Sequence, residues 1–115
     1  MKALAFLGIG KVGIIEKPIP DLGPNDAVVK TTASLICTSD VHTVRGVIAI
    51  PENRVLGHES VGIVYKVGAN VTRCKEGDRV VVCAITPCGK CDYCQRGFPS
   101  QCGGMLGGYK ARVAP

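Results

Sequence analysis

Tryptophan is absent from this chain, and aromatic residues of any kind are scarce: three tyrosines and two phenylalanines among 115 residues. A surface that grips nucleic acid sets aromatic faces among clustered cations. Lys and Arg outnumber Asp and Glu by 14 to 9, yet they are scattered singly from Lys2 to Arg112. That pattern excludes a nucleic-acid partner and describes a mildly basic, solvated surface. Long apolar runs are missing too, so no segment is expected to span a membrane. Met1-Lys2 followed by Ala3 to Gly10 has the outline of an export signal. Lys11 interrupts the run, however, and no A-x-A cleavage site follows, so the chain is expected to be cytoplasmic.

Hydrophobic residues make up 46% and charged residues 20%, a globular rather than a disordered balance. The length suits one domain with a core of its own, not two. Fifteen glycines and seven prolines, with many valines, favour short strands joined by turns over long helices. The expected fold class is mainly β, a small irregular barrel with a cysteine-rich lobe. Strands are predicted over 2–7, 11–17, 26–36, 60–67 and 79–85, with one more over 109–114. Pro18, Pro20, Gly23 and Pro24 mark a turn-rich connection, and Gly68-Ala69-Asn70 a turn. Thr38, Ser39 and Asp40 can open a single helical turn after Cys37. There is no internal repeat and no low-complexity linker.

Gly8-Ile9-Gly10-Lys11-Val12-Gly13 matches the letters of the dinucleotide motif G-x-G-x-x-G. That motif works only when a helix opens at its third glycine and turns its N-terminus toward a pyrophosphate. Here IIEKPIP follows, β-prone and then broken by proline. The segment reads as a turn between two strands, and no cofactor-binding residue is assigned.

Seven cysteines without an export signal point to metal ligands or free thiols rather than disulfides. Cys88-x2-Cys91-x2-Cys94-x7-Cys102, in a lobe over 87–103, is the strongest local signal. Four thiolates close a tetrahedral zinc shell at about 2.3 Å each and leave no position for water, which makes the site structural. Gly89 and Gly97 ease the turns. An iron–sulfur cluster is the first alternative, but the ferredoxin run places its fourth Cys after three residues and before Pro. Here seven intervene and Gly103 follows. A pair of disulfides is the second alternative, and it lacks an oxidising compartment. Cys83, in a valine run, reads as a buried small hydrophobe. Cys74 reads as a free thiol in a turn.

Only two histidines occur, and both lie among candidate ligands. Cys37-Thr38-Ser39-Asp40-Val41-His42 holds a thiol, a hydroxyl, a carboxylate and an imidazole. Gly57-His58-Glu59 is the second piece. A catalytic zinc takes three protein ligands and keeps one position open, and Cys37 and His58 supply two. Asp40 is placed to accept the other N–H of the His58 ring and fix its tautomer. Taken singly, each residue also reads as a turn His or an unremarkable Cys.

Gly57-His58-Glu59-x2-Gly62-x5-Gly68-x2-Val71 resembles the signature of zinc-dependent medium-chain alcohol dehydrogenases. Gly77-Asp78-Arg79-Val80 and the four-cysteine lobe follow in that family's order. LGIGKVGIIEKPIP, CTSDVHT and AITP…GGMLGGYK are similar to its secondary-alcohol, often NADP-using, branch, some members of which lack the lobe kept here. The resemblance implies a GroES-like fold over 1–115 and two zincs, structural and catalytic. It implies Cys37 and His58 as catalytic-zinc ligands, with Glu59 a carboxylate able to approach the metal. Ser39 would hydrogen-bond the substrate oxygen, and His42 would end a proton relay. Ala84 and Tyr109 would line the substrate pocket. The implied reaction interconverts a primary or secondary alcohol with an aldehyde or ketone, using NAD or NADP, in a homo-oligomer. The family's third zinc ligand and its Rossmann domain lie beyond Pro115, so the chain alone is expected to be inactive. A non-catalytic zinc-binding GroES-like module is the alternative.

Overall fold

The computed structural model describes residues 1–85 and 87–102. Two compact units divide the chain, the first Met1–Val82 and the second beginning at Cys83. The cysteine-rich segment separates as a compact unit of its own. The strand predicted over 109–114 lies outside the described residues.

The first unit holds six strands and one helix. They are β1 (Lys2–Gly8), β2 (Lys11–Glu16), β3 (Ala27–Leu35), α1 (Thr38–Val44), β4 (Arg54–Val55), β5 (Glu59–Val67) and β6 (Arg79–Val82). They form two three-stranded antiparallel sheets, ordered β2-β1-β4 and β3-β5-β6. GIGKVG is the hairpin between β1 and β2, as expected: Gly8 pairs with Lys11, and Gly10 sits at φ +74 in the tip. Its Gly10 N–H reaches the Val44 carbonyl at the end of α1 at 2.7 Å.

The buried apolar side chains of this unit are few and small. Ala3, Ala5 and Phe6 come from β1, and Val64 comes from β5. The alternation of β1 accounts for Ala3 and Ala5, since residues two apart share a face, while Phe6 is buried from the opposite face. By contrast Leu35, Ile36 and Val81 are 71%, 79% and 81% exposed. The unit therefore shows much apolar surface around a thin core, less than the composition promised.

The β3–β5 ladder is held unusually close at Gly62. A Cβ there would lie 2.4 Å from the Lys30 carbonyl oxygen and 2.6 Å from a Val29 methyl. Only glycine permits that approach.

Helix α1 runs seven residues, longer than the single turn expected. Asp40, at its third position, reaches back to the Cys37 N–H at 3.0 Å. This satisfies a donor that the helix start leaves orphaned and places negative charge at the positive end of the helix. Strand β6 ends at Val82, shorter than the predicted 79–85, because its partner β5 begins at Glu59 and the ladder runs out at Ser60–Val82. Cys83 therefore lies off the ladder and is exposed, which corrects the reading of it as a buried hydrophobe. Cys74 is free and half-buried, in the segment before β6.

The second unit has two short helical pieces that the sequence did not signal, α2 (Asp92–Gln95) and a 3-10 turn over Pro99–Gln101. Among its described residues, Cys102 is the one buried apolar side chain. Packing alone gives this lobe almost nothing to hold it together.

Candidate metal centres

The first centre is built where β3 and β5 run side by side. Leu35 pairs with Glu59 and Ser34 with Ser60. The segment leaving β3 thus carries Cys37 past the segment entering β5, which carries His58. Ser34 reinforces this junction by donating from its hydroxyl to the Glu59 carbonyl at 3.1 Å. Gly57, at φ +93, turns the chain into His58 through a backbone region that favours glycine. One ligand atom each from Cys37, His58 and Glu59 lies within 4.8 Å of the others.

Asp40 organises this group from behind. It is 9% exposed. One carboxylate oxygen accepts the Cys37 N–H, and the other lies 3.5 Å from His58 Nδ1. Negative charge at Nδ1 favours the tautomer with its proton there, which leaves the Nε2 lone pair free. Ser39 Oγ sits 3.3 Å from that Nε2. Ser39 and His42 lie three residues apart on α1, which puts them on one face, and His42 is exposed. A groove of about 420 Å3, apolar apart from a few groups, runs behind α1 between Leu4, Val12, Val41, Val44 and Leu56, with Asp40 at its wall. Ala84 is half-buried and lies in the second unit, just after β6; Tyr109 lies outside the described residues.

The second centre gathers Cys88, Cys91, Cys94 and Cys102, whose sulfurs all lie within 4.8 Å of one another. Zinc at about 2.3 Å from each of four sulfurs requires tetrahedral edges of about 3.8 Å. The Cys91 and Cys102 sulfurs are 3.9 Å apart. The donor set and its spacing therefore fit zinc. Cys91 caps the start of α2, and Gly89 and Gly97, at φ +71 and +82, let the backbone turn around the cluster.

Backbone amides already point at these sulfurs. Cys88 Sγ accepts from the N–H of Lys90 at 3.5 Å and of Cys91 at 3.4 Å, while Cys102 Sγ accepts the Cys88 N–H at 3.3 Å. The Lys90 amide, then that of Cys91, holds the Cys88 thiol below its ordinary pKa. Cys94 is pushed the other way, up to about 12, chiefly by loss of solvent around it. Four sulfurs this close do not all ionise without a cation between them. A divalent ion removes the conflict by taking each as a thiolate. Cys74 and Cys83 join neither cluster among the described residues.

The chain belongs to the alcohol dehydrogenase GroES-like domain family, whose model matches residues 23–114. The "NADP-dependent isopropanol dehydrogenase" of Entamoeba histolytica is 54% identical over 111 residues, covering 96% of this chain and 30% of that protein. The protein so described from Thermoanaerobacter brockii is 53% identical, with 96% and 32% covered. Among solved structures, zinc dependent alcohol dehydrogenase 2 from Streptococcus pneumonia in its apo form matches with a TM-score of 0.87 at 32% identity, over 95% of this chain and 32% of that one. Alcohol dehydrogenase TADH from Thermus sp. ATN1 gives a TM-score of 0.87 at 38% identity, over 90% and 30%. The chain thus spans about a third of the length of the relatives it matches. The fold is mainly β and GroES-like, as the sequence resemblance implied.

Proposed function

We propose that this chain is the metal-binding N-terminal portion of a zinc-dependent alcohol dehydrogenase that interconverts a small alcohol and its ketone or aldehyde with NAD or NADP. The observation that carries this reading is the convergence of Cys37, His58 and Glu59 beside the Ser39 hydroxyl, at the junction of β3, α1 and β5. The names of the isopropanol dehydrogenases support a secondary alcohol and NADP for the whole enzyme.

Cys37 and His58 would hold the catalytic zinc, whose bound chemistry is Lewis-acid polarisation of an oxygen. The third ligand and the dinucleotide site are assigned to polypeptide beyond residue 115. Glu59 would offer a further carboxylate to that ion from the exposed side. Ser39, beside His58 Nε2, takes the alcohol proton, and His42 hands it to solvent. Asp40 keeps the His58 ring in register. Ala84 and Tyr109 are assigned to the substrate pocket. Cys88, Cys91, Cys94 and Cys102 would hold a structural zinc that takes no part in turnover.

In the longer polypeptide, His58→Ala or Cys37→Ser is expected to abolish turnover with loss of the catalytic metal. Ser39→Ala should slow turnover by about 10²–10⁴-fold, the usual worth of a proton-transfer group, with zinc retained. Residues 1–115 alone should hold zinc in the lobe and show no oxidation of 2-propanol with either cofactor. Near-normal turnover in His58→Ala overturns the ligand assignment, and cofactor-dependent turnover by residues 1–115 overturns the division of labour.

A further inference from the structure

The β3–β5 ladder reaches Cys37 and His58 by way of two irregularities that offset each other. Val28 faces Lys66 but Val29 faces Val64, so Tyr65 is an extra residue in β5. Thr31 faces Gly62 but Ala33 faces Val61, so Thr32 is an extra residue in β3. Bulges of this kind re-aim the chain beyond them. Here the second takes back the one-residue offset that the first introduces.

The middle of the ladder is held firmly. Val64 is 2% exposed. Its N–H donates to the Asp78 carbonyl and its carbonyl accepts the Gly77 N–H, both at 2.9 Å. At Gly62 the strands approach too closely for any Cβ. The end of β3 has no such hold, since every residue from Lys30 to Leu35 is exposed. A strand that buries neither face specifies its register weakly. Two hydroxyls act there instead. Thr32 Oγ1 donates to the Val61 carbonyl at 3.3 Å. Ser34 Oγ lies closer to the Glu59 carbonyl, at 3.1 Å, than to that of Leu35, at 3.4 Å. It also sits 3.2 Å from where a Cβ on Gly57 would stand, so it touches the residues on both sides of His58.

We infer that Thr32 and Ser34 are positioning residues for the Cys37–His58 centre, their hydroxyls holding the register correction that sets Cys37 beside His58. Its bearing on turnover rests on the reading of that centre as a catalytic-metal site. With Thr32 flat in the strand and Tyr65 still extra, every pair beyond it moves by one residue, and Leu35 faces His58 instead of Glu59. One residue is about 3.4 Å of strand, and such a slip also turns each side chain to the other face. Cys37, His58 and Glu59 bring ligand atoms within 4.8 Å of one another, a grouping that does not survive the slip. One net hydrogen bond shifts an equilibrium by roughly fivefold, so two bias the register by roughly twenty-five-fold.

The test records cross-strand NOEs in the 115-residue chain carrying Thr32→Val and Ser34→Ala together. The wild type should pair Leu35 with Glu59 alone. The double variant should show a second set pairing Leu35 with His58, while Thr31 stays opposite Gly62. Thr32→Ser with Ser34→Thr keeps both hydroxyls and should show the wild-type set alone. A single wild-type register in the hydroxyl-free variant overturns the inference. So does loss of the whole ladder, which makes the hydroxyls a source of stability rather than of aim. In the longer polypeptide, the hydroxyl-free variant should release metal from the Cys37–His58 centre about tenfold sooner to a chelator, with the four-cysteine lobe unchanged; equal release in variant and wild type also overturns it. A centre that holds no metal in the wild type refutes the metal reading instead, and the NOE register still decides the positioning.

Discussion

Replacing Asp40 separates two tasks that its carboxylate performs together. One oxygen accepts the Cys37 N–H at 3.0 Å, and the other faces His58 Nδ1 at 3.5 Å. Asp40→Ala removes both interactions and leaves a hole at a site 9% exposed. Loss of the reach-back bond at a helix start costs about 1 kcal/mol. An exposed 3.5 Å contact would add little, but this one is mostly shielded from water. Asp40→Asn keeps the shape. Its amide oxygen still accepts the Cys37 N–H, but its NH2 group now faces His58. A ring with its proton on Nδ1 meets a donor there, so the ring is driven to carry its proton on Nε2, the nitrogen assigned to the metal. Losing such a supporting partner costs about 10–100-fold in metal affinity, or about 1.4–2.8 kcal/mol. Imidazole 15N shifts of the metal-free chain should therefore report Nδ1–H in the wild type and Nε2–H in Asp40→Asn. The melting temperature should fall clearly in Asp40→Ala and little in Asp40→Asn. In the longer enzyme, Asp40→Asn should release its catalytic zinc to a chelator sooner than the wild type. An unchanged tautomer together with wild-type zinc retention in Asp40→Asn would refute the reasoning, leaving Asp40 as a helix cap alone.

Chelation of zinc should melt the second unit and spare the first, because the first has Ala3, Ala5, Phe6 and Val64 inside, whereas among the described residues of the second the one buried apolar side chain is Cys102. Hydrogen exchange after chelation should show protection lost over 87–102 and kept over β1 and β5; equal loss in both would contradict it. Zinc uptake at neutral pH should release protons, Cys94 contributing because its pKa of about 12 keeps it protonated until the ion arrives. Affinity should accordingly fall as pH falls, and a titration without buffer-dependent proton release would count against the assignment. Gly62→Ala should destabilise the first unit by about 1–3 kcal/mol, since the new methyl meets backbone rather than a flexible side chain. A melting temperature unchanged from wild type would show that β3 yields without cost.

Much of this arrangement is legible in the sequence, for local reasons. The hairpin at Gly8–Gly13 follows from what comes after it, since no helix can open into a proline-broken segment. The sulfur cluster follows from spacing, because x2 gaps hold thiols within one ion's reach. Other features depend on distance across the fold. That Leu35 faces Glu59, and so brings Cys37 beside His58, is a register, and no window of sequence contains both strands. The Ser34 clamp on the Glu59 carbonyl was invisible for the same reason. Cys83 was misjudged because a valine run announces burial only while its ladder lasts, and β6 stops one residue earlier. The lobe's helical pieces were hidden by a composition rich in Cys, Gly and polar residues, where ligand geometry rather than periodicity fixes the backbone.

The register also settles what is dispensable. Cys37 and His58 are neighbours because two strands are stapled together, not because of the path the chain takes from one to the other. That path includes an excursion after Gly46, past Ala49, Ile50 and Pro51, before β4 rejoins β1 at Arg54. Its ends are pinned by the His42 carbonyl, which accepts from Val47 and Ile48, and by the Asn53 N–H on Phe6. Doubling the length of such a loop costs only about 0.6 kcal/mol. Extra residues spliced in at Ala49–Ile50, a fluorophore-bearing peptide or a small folded insert, should leave both metal centres as they are, which makes this bend the natural port for instrumenting the protein.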